Sequence, residues 1–332
     1  MKRILLDNTK NYYKANMHCH STYSDGKFSV EELKSMYKAE GYSVIAFTDH
    51  EHLIDNSNLN DENFLSITSC EIAVKEYENK SAISTKDMKV AHFNFYSLDP
   101  HNINTTCYSS VYDHFLTNPD ILSLINKPDT DYKREYNKES ISEIIKTASE
   151  QGFLVSYNHP RWSLETAEDY SGYEGLWAVE IFNTDCWRQG YFEYDICVYD
   201  DLLRKGNCNF CVAGDDNHND SDMFGGHIMI NAEKLEYSAI MEALKNGNFY
   251  TSTGPKINSL YIKDGVAHLS VPEGNKYAVM TTGIRKTKLI DLENEDINDI
   301  QFKISPDYKY VRFDVIDHKN RRANTNAYKT DV

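Results

Sequence analysis

The sequence predicts an α/β protein with a β/α barrel over residues 1–254 and a small antiparallel β-sandwich over residues 255–332. Apolar, strand-like segments alternate with amphipathic helical segments in the first part of the chain. Those strand-like segments repeatedly end in His, Asp or Glu, which is how parallel β/α barrels build a site at one mouth. Beyond the Gly254-Pro255 pair the helical pattern disappears, and short alternating segments separated by turn residues follow.

The first motif lies in residues 17–26, which read M-H-C-H-S-T-Y-S-D-G. Residues 13–17 read as a short strand, so His18 and His20, two positions apart, project from the same face at its end. Asp25 follows five residues later. Imidazole suits Zn, Fe or Mn, and a nearby carboxylate adds compensating charge. This stretch therefore indicates a metal site.

A β-α-β unit follows the first motif. Ser29 and Glu32 form a capping box that predicts a helix ending at Gly41, and strand 43–48 then leads to Asp49 and His50. Strand 64–70 leads to Glu71, whose two oxygens are suited to bridging two cations. Residues 75–88 read as a hairpin or surface loop.

The second half of the barrel repeats the pattern. Strand 88–96 carries His92, and residues 97–138 predict short helices and an excursion over the barrel. A capping box at Ser140 and Glu143 predicts the next helix. Further strands are expected at 153–157, 176–183 and 210–214, with a helix at 194–206. The predicted metal ligands are His18, His20, Asp25, His50, Glu71, His92, His159, Asp216 and His218.

Four other residues are candidates for catalysis, three because they lie beside these ligands in the sequence and Arg188 because it lies in a loop that could face the substrate. Asp49 and His52 are candidates for handling a leaving-group proton. Arg161 and Arg188 are candidates for gripping a phosphate oxygen through the planar guanidinium. The alternative for Arg161 is a surface cation.

Composition limits the partners. The formal net charge of −16 argues against general binding to long nucleic acid or to an anionic membrane. It is compatible with a small anionic substrate, because bound divalent cations reverse the local field. No window approaches the roughly 18 apolar residues of a membrane span, and the N-terminal apolar run is too short for a secretory signal. We therefore expect a cytoplasmic protein without a disulfide scaffold, since its seven cysteines show no regular framework.

The ordered motifs H-x-H-x4-D, T-D-H, a strand-end Glu, A-H, N-H-P and D-x-H resemble the polymerase and histidinol phosphatase (PHP) superfamily over roughly residues 13–255. The resemblance implies a distorted seven-stranded β/α barrel that holds two or three divalent metals, with Mn, Zn and Fe as candidates. Asp25 matches the position that is Asp or His in different branches of the family. With Asp at this position, the chain resembles the trinuclear phosphoesterase branch. The family often has G-S-D-A-H where this chain has G-D-D-N-H, and spacing favours Asp216 over Asp215 as the ligand.

The expected reaction is hydrolysis of a phosphate ester, such as a small phosphomonoester, a nucleotide or a short oligonucleotide, by a hydroxide that bridges the metals. Two alternatives stay open. One is metal-dependent hydrolysis of a C–N bond, and the other is a metal-binding module without turnover, with the sandwich as an interaction domain.

Overall fold

The computed structural model describes residues 2–76, 88–115, 118–192 and 194–330, and they form a mixed α/β fold with a large antiparallel region. Most of the loop predicted at 75–88 lies outside the described residues. The strands are β1 (Lys2–Leu6), β2 (Asn11–Cys19), β3 (Val44–Phe47), β4 (Leu65–Lys75), β5 (Val90–Ser97), β6 (Phe153–Tyr157), β7 (Leu176–Asn183), β8 (Cys208–Gly214), β9 (His227–Ala232), β10 (Phe249–Ser252), β11 (Ser259–Lys263), β12 (Val266–Ser270), β13 (Asn275–Thr282), β14 (Thr287–Asp291), β15 (Ile300–Lys303), β16 (Tyr310–Asp317), β17 (Arg322–Thr325) and β18 (Tyr328–Lys329).

Six α-helices occur in the described residues, and short 3₁₀ turns fill part of the long connection before β6. The helices are α1 (Val30–Ala39), α2 (Lys138–Glu150), α3 (Ala167–Tyr170), α4 (Thr184–Arg188), α5 (Ile196–Lys205) and α6 (Tyr237–Lys245). The turns of the long connection lie at Ser110–Phe115 and Pro119–Ser123.

The strands β2 to β8 are neighbours in chain order within the larger sheet. The pairs β2–β3, β3–β4, β6–β7 and β7–β8 are parallel, but β5 runs antiparallel to both β4 and β6. Strand β5 is therefore the antiparallel exception among these strands, and the sequence did not show it because an apolar run does not encode strand direction. The ends of β2 and β8 also meet, since the Asp216 N–H donates to the His18 carbonyl oxygen over 2.8 Å.

Helix caps show where local sequence rules hold. The capping box of Ser29 and Glu32 is present at the start of α1, as predicted. The box predicted at Ser140 is wrong, because α2 begins earlier and Asn137 is its N-cap. The Ser140 N–H is the donor there, and it binds the Asn137 side-chain oxygen over 2.8 Å. Both Ser and Asn are good caps, so the pattern left two competing starts.

The C-terminal strands form antiparallel pairs, and the N-terminus joins them. The smaller sheet has the order β1-β11-β12-β15, so the first strand of the chain pairs with a strand that begins at Ser259. One apolar cluster contains side chains from this sheet, such as Leu260 and Phe302, and from β13 and β16 of the larger sheet, such as Met280 and Phe313. In the described part of the chain, no helix combines the length and apolar character needed to cross a membrane.

Candidate metal centre

The pair of histidines at the end of β2 lies where the sequence pattern placed it. His18 and His20 are fully buried, and their Nε2 atoms lie 3.3 Å apart. Cys19 points the other way and belongs to an apolar cluster with α1. Two ring nitrogens this close repel each other unless a proton or a cation lies between them, so the alternation of β2 creates a site for positive charge.

Glu71 is the centre of the cluster. The sequence predicted Glu71 directly after a strand that ends at residue 70. It lies instead within β4, which continues to Lys75. Its Oε1 atom is 3.2 Å from His18 Nε2 and 3.3 Å from His159 Nε2, and its Oε2 atom is 3.4 Å from both His20 Nε2 and His50 Nδ1. Pairing with the antiparallel β5 also brings His92 Nδ1 to 3.2 Å from Oε1.

Short loops after the strands bring in the other side chains. His159 and Asp216 both have positive φ, at 25° and 54°, which turns the chain sharply after β6 and β8. Asp216 Oδ1 then lies 3.0 Å from His20 Nε2. Asp25 and His218 are more exposed than the other members, at 40% and 27%, so they form the mouth of the cluster.

These side chains form three groups in which one donor atom from each residue lies within 4.8 Å of the others. His20 belongs to two of the groups and so does Glu71, so the groups are contiguous. All nine predicted ligands occur in them. The groups are His20, Asp25, His50 and His218; His18, His20, Glu71 and Asp216; and Glu71, His92 and His159.

The donor set fits divalent cations. Each group combines imidazole nitrogen with carboxylate oxygen, which are ligands that Zn, Fe and Mn accept. Buried carboxylates are costly unless they are paired or bind cations. The role of each of the nine residues as a ligand stays a prediction.

Three polar residues that sequence reasoning did not assign hold the cluster in place. Glu180 Oε1 lies 3.1 Å from His18 Nδ1, which directs the Nε2 atom of that ring to the centre. Asn158 donates to Glu71 Oε1 over 2.9 Å, and Asn183 donates to Asp216 Oδ2 over 3.0 Å. All three lie within or directly after apolar strands, as the predicted ligands do, so the available signal did not separate ligands from the residues that orient them.

The mutual contacts shift the titration of the cluster. Burial opposes a charge on His18, but the carboxylates of Asp216, Glu71 and Glu180 outweigh it and raise the pKa of that ring well above its usual value. Burial likewise opposes a charge on His159, and its contact with Glu71 raises the pKa of the ring to about 9. Burial by itself would raise the pKa of the Glu71 carboxyl. The neighbouring His92 and His18 outweigh burial and hold this pKa well below its usual value. The carboxylates therefore carry negative charge that needs a cationic partner.

Asp215 and Asp216 have different environments. Asp215 accepts hydrogen bonds from Thr184 Oγ1 at 2.6 Å, from the Tyr37 hydroxyl at 2.8 Å and from the backbone N–H groups of residues 224–226. These bonds anchor the loop after β8. Asp216 points into the histidine cluster instead. The geometry thus favours Asp216, as spacing did.

None of the four predicted catalytic side chains lines the cavity beside the cluster. Asp49 accepts hydrogen bonds from the N–H and hydroxyl groups of Ser21 and Ser24, so it braces the loop after β2. His52 is buried against the Tyr108 ring, Arg161 is exposed, and Arg188 lines a different cavity. The catalytic roles of these four side chains therefore stay predictions.

The cavity measures about 520 Å³ and is lined by several residues that the sequence did not single out. Trp162 packs its ring against those of His92 and His159, with centroids 5.3 and 4.9 Å away. Lys75 also lines the wall, and its ammonium nitrogen lies 4.8 Å from the centroid of the Tyr112 ring. Asp185 brings a carboxyl group that accepts a hydrogen bond from Gln189 over 2.6 Å.

A buried ion pair braces the loop that carries His50. Arg134 comes from the long irregular connection, and its guanidinium donates to both oxygens of Glu51, at 2.9 and 2.7 Å. It also donates to the carbonyl oxygens of Ala73 and Cys107. Glu51 has a φ of 71°, and its N–H donates to the Glu71 carbonyl oxygen over 2.7 Å. Arg134 thus ties the connection to two segments of the cluster.

We expect Arg134→Met to lower the free energy of unfolding by about 3–5 kcal/mol, because it leaves the buried Glu51 carboxylate without its partner. Urea unfolding followed by circular dichroism measures this. The double variant Arg134→Met with Glu51→Gln removes the unpaired charge and should recover part of the loss. A single variant as stable as the parent would contradict this role.

Comparison with known proteins identifies the family. Histidine and carboxylate side chains gathered within and directly after the strands of a mixed α/β fold define a class of candidate metal-dependent enzymes. Within that class, the PHP domain matches residues 16–197, more than half of the chain. The chain belongs to the PHP domain family. No curated protein matches it at a significant level.

Three solved structures share weak similarity with the chain. A two-domain protein from Bacteroides vulgatus, described as containing a predicted PHP-like metal-dependent phosphoesterase, is 15% identical with a TM-score of 0.45, over 98% of this chain and 88% of that one. A putative metal-dependent phosphoesterase from Bifidobacterium adolescentis is 15% identical with a TM-score of 0.38, over 62% and 88%. An amidohydrolase from Chromobacterium violaceum with bound sulfate is 12% identical with a TM-score of 0.37, over 61% and 87%.

Proposed function

We propose that this protein is a metal-dependent phosphoesterase that hydrolyses a small phosphate ester. The observation that carries the proposal is the set of three contiguous donor groups, linked through His20 and Glu71, in a chain of the PHP family. Contiguous groups can hold cations close enough together to bind one phosphoryl group. The cavity beside them is large enough for a small ligand.

The three groups would hold two or three divalent ions, with Mn, Zn and Fe as candidates. When bound, such ions supply positive charge for the phosphoryl oxygens and activate water near neutral pH. The protein's own part is to fix the ligands. Glu180 orients His18, Asn183 holds Asp216, and Asn158 holds Glu71.

The cavity wall supplies the remaining functions. Lys75 lines this wall and offers a cation to a substrate anion. Asp185 is placed to hold a proton for the leaving oxygen, and burial together with the charges of Asp216 and Asp222 raises its pKa to about 7. Trp162 covers His92 and His159 and limits the access of water to them.

The proposal includes the architecture of the chain. The contiguous order of β2 to β8 and the contact between His18 and Asp216 support a distorted seven-stranded barrel. The apolar cluster shared by two sheets supports a C-terminal sandwich after residue 254, with β1 added to it. The net charge of −16 supports a small substrate rather than long nucleic acid.

Metal content separates the two adjacent aspartates. We expect Asp216→Asn to lower the number of Mn or Zn ions bound per chain, because it removes a charged oxygen from a donor group. Asp215→Asn should keep the metal content and lower the melting temperature, because it weakens the anchoring bonds of the loop. Elemental analysis after reconstitution and thermal unfolding measure both. The reverse assignment of the two effects would contradict the geometry.

Activity is tested on metal-reconstituted protein with phosphomonoesters, cyclic phosphates, 3′,5′-bisphosphonucleotides, short oligonucleotides and simple amides. We expect phosphate release from at least one ester, and a loss of at least about 100-fold for His159→Ala, as is typical when metal binding is disturbed. The exposed His318→Ala is the matched control and should keep full activity. Turnover of amides alone would favour C–N hydrolysis, and inactivity toward every substrate with metals bound would favour a binding module.

A further inference from the structure

A second cavity, of about 690 Å³, lies between α4 and the turn that joins β16 to β17. The short helix α4 separates it from the cavity of the metal cluster. Asp185 and Gln189 line the cluster's cavity, whereas Trp187 and Arg188 line the second one. We call the second cavity the basic cavity, because Arg188, Lys319, Arg321 and Arg322 all line it.

The charge of the basic cavity is opposite to that of the protein as a whole. The chain carries a formal charge of −16, yet four cations gather here. Arg321 is paired with Asp317 over 2.8 Å, while no ion pair with another described residue involves Arg188 or Lys319. Cations left to face a cavity in an acidic protein indicate an anionic ligand.

The wall of the basic cavity is aromatic. Phe182, Trp187 and Phe192 pack in a row, with ring centroids 5.6 and 5.4 Å apart. Trp187 and Phe192 remain 40% and 63% exposed, which is unusual for such large apolar rings. Exposed rings beside arginines offer a surface on which a planar ring can stack.

The chain holds this arrangement in place rather than leaving it as a loose surface. A Cβ atom on Gly254 would lie 2.6 Å from Arg321 Cζ, so the guanidinium rests against that backbone. Arg322 lies over the Tyr194 ring at 5.2 Å, and its N–H donates to Thr253 Oγ1 over 3.0 Å. The turn and its cations are thus fixed against the strand that precedes the Gly254-Pro255 pair.

We propose that the basic cavity binds a ligand that carries both a planar aromatic ring and a phosphate group, which is the chemistry of a nucleoside phosphate. The cations bind the phosphate, and the exposed rings stack on the base. The volume suits a ligand of that size. The proposal concerns binding and does not depend on turnover at the metal cluster.

The experiment is isothermal titration of the metal-free full-length protein with adenosine 5′-monophosphate (AMP), adenosine and ribose 5-phosphate. We expect AMP to bind at least about tenfold more tightly than either fragment, because it uses both features of the cavity. Equal affinity of AMP and ribose 5-phosphate, or of AMP and adenosine, would overturn the proposal.

Two variants locate the binding. Arg188→Gln should weaken AMP binding about tenfold, and Phe192→Ala about fivefold, while both keep the parent's melting temperature because these side chains are exposed. The controls are Arg285→Gln, which removes an equal charge at an exposed position, and Leu289→Ala, which removes an apolar side chain that is 56% exposed. AMP binding that neither cavity variant weakens more than its control lies elsewhere and would overturn the proposal.

Discussion

The burial of one carboxylate, that of Glu71, is the constraint on which the site depends. Glu71 is 1% exposed and lies within 3.4 Å of ring nitrogens from five histidines. Such a group is stable inside a protein when positive charge surrounds it. Strand β4 carries Glu71, and β2, β3, β5 and β6 supply the five histidines directly or through the residues that follow each strand. Because β2 to β6 are successive neighbours in the sheet, their side chains come together around Glu71.

Much of the cluster could be predicted from the sequence because the governing rules are local. The two-residue period of a strand placed His18 and His20 on one side and Cys19 on the other. Apolar runs that end in polar residues located the other members, including the spacing that favoured Asp216. Capping rules likewise gave the start of α1. These signals span a few residues, so a single sequence suffices to recognise them.

The remainder depends on contacts between distant segments. The antiparallel direction of β5 and the pairing of β1 with β11 have no local signature. Side-chain direction in loops is equally hidden, so the sequence did not show that Asp49 accepts hydrogen bonds from Ser21 and Ser24. Arg134 lies 83 positions from Glu51 in a segment with weak periodicity, so nothing in its surroundings marked it as a brace.

The fold places two chemically opposite cavities on either side of α4, one lined by carboxylates and histidines and the other by cations and aromatic rings. The central claim of this account is that the nine predicted ligands in and beside the first cavity gather cations. Anomalous diffraction from crystals of the protein grown with Mn²⁺ tests it most directly. We predict two or three peaks, one within each occupied donor group and at least one beside Glu71. Crystals with Mn²⁺ in the solution and no peak within those groups, or peaks at surface carboxylates alone, would contradict it.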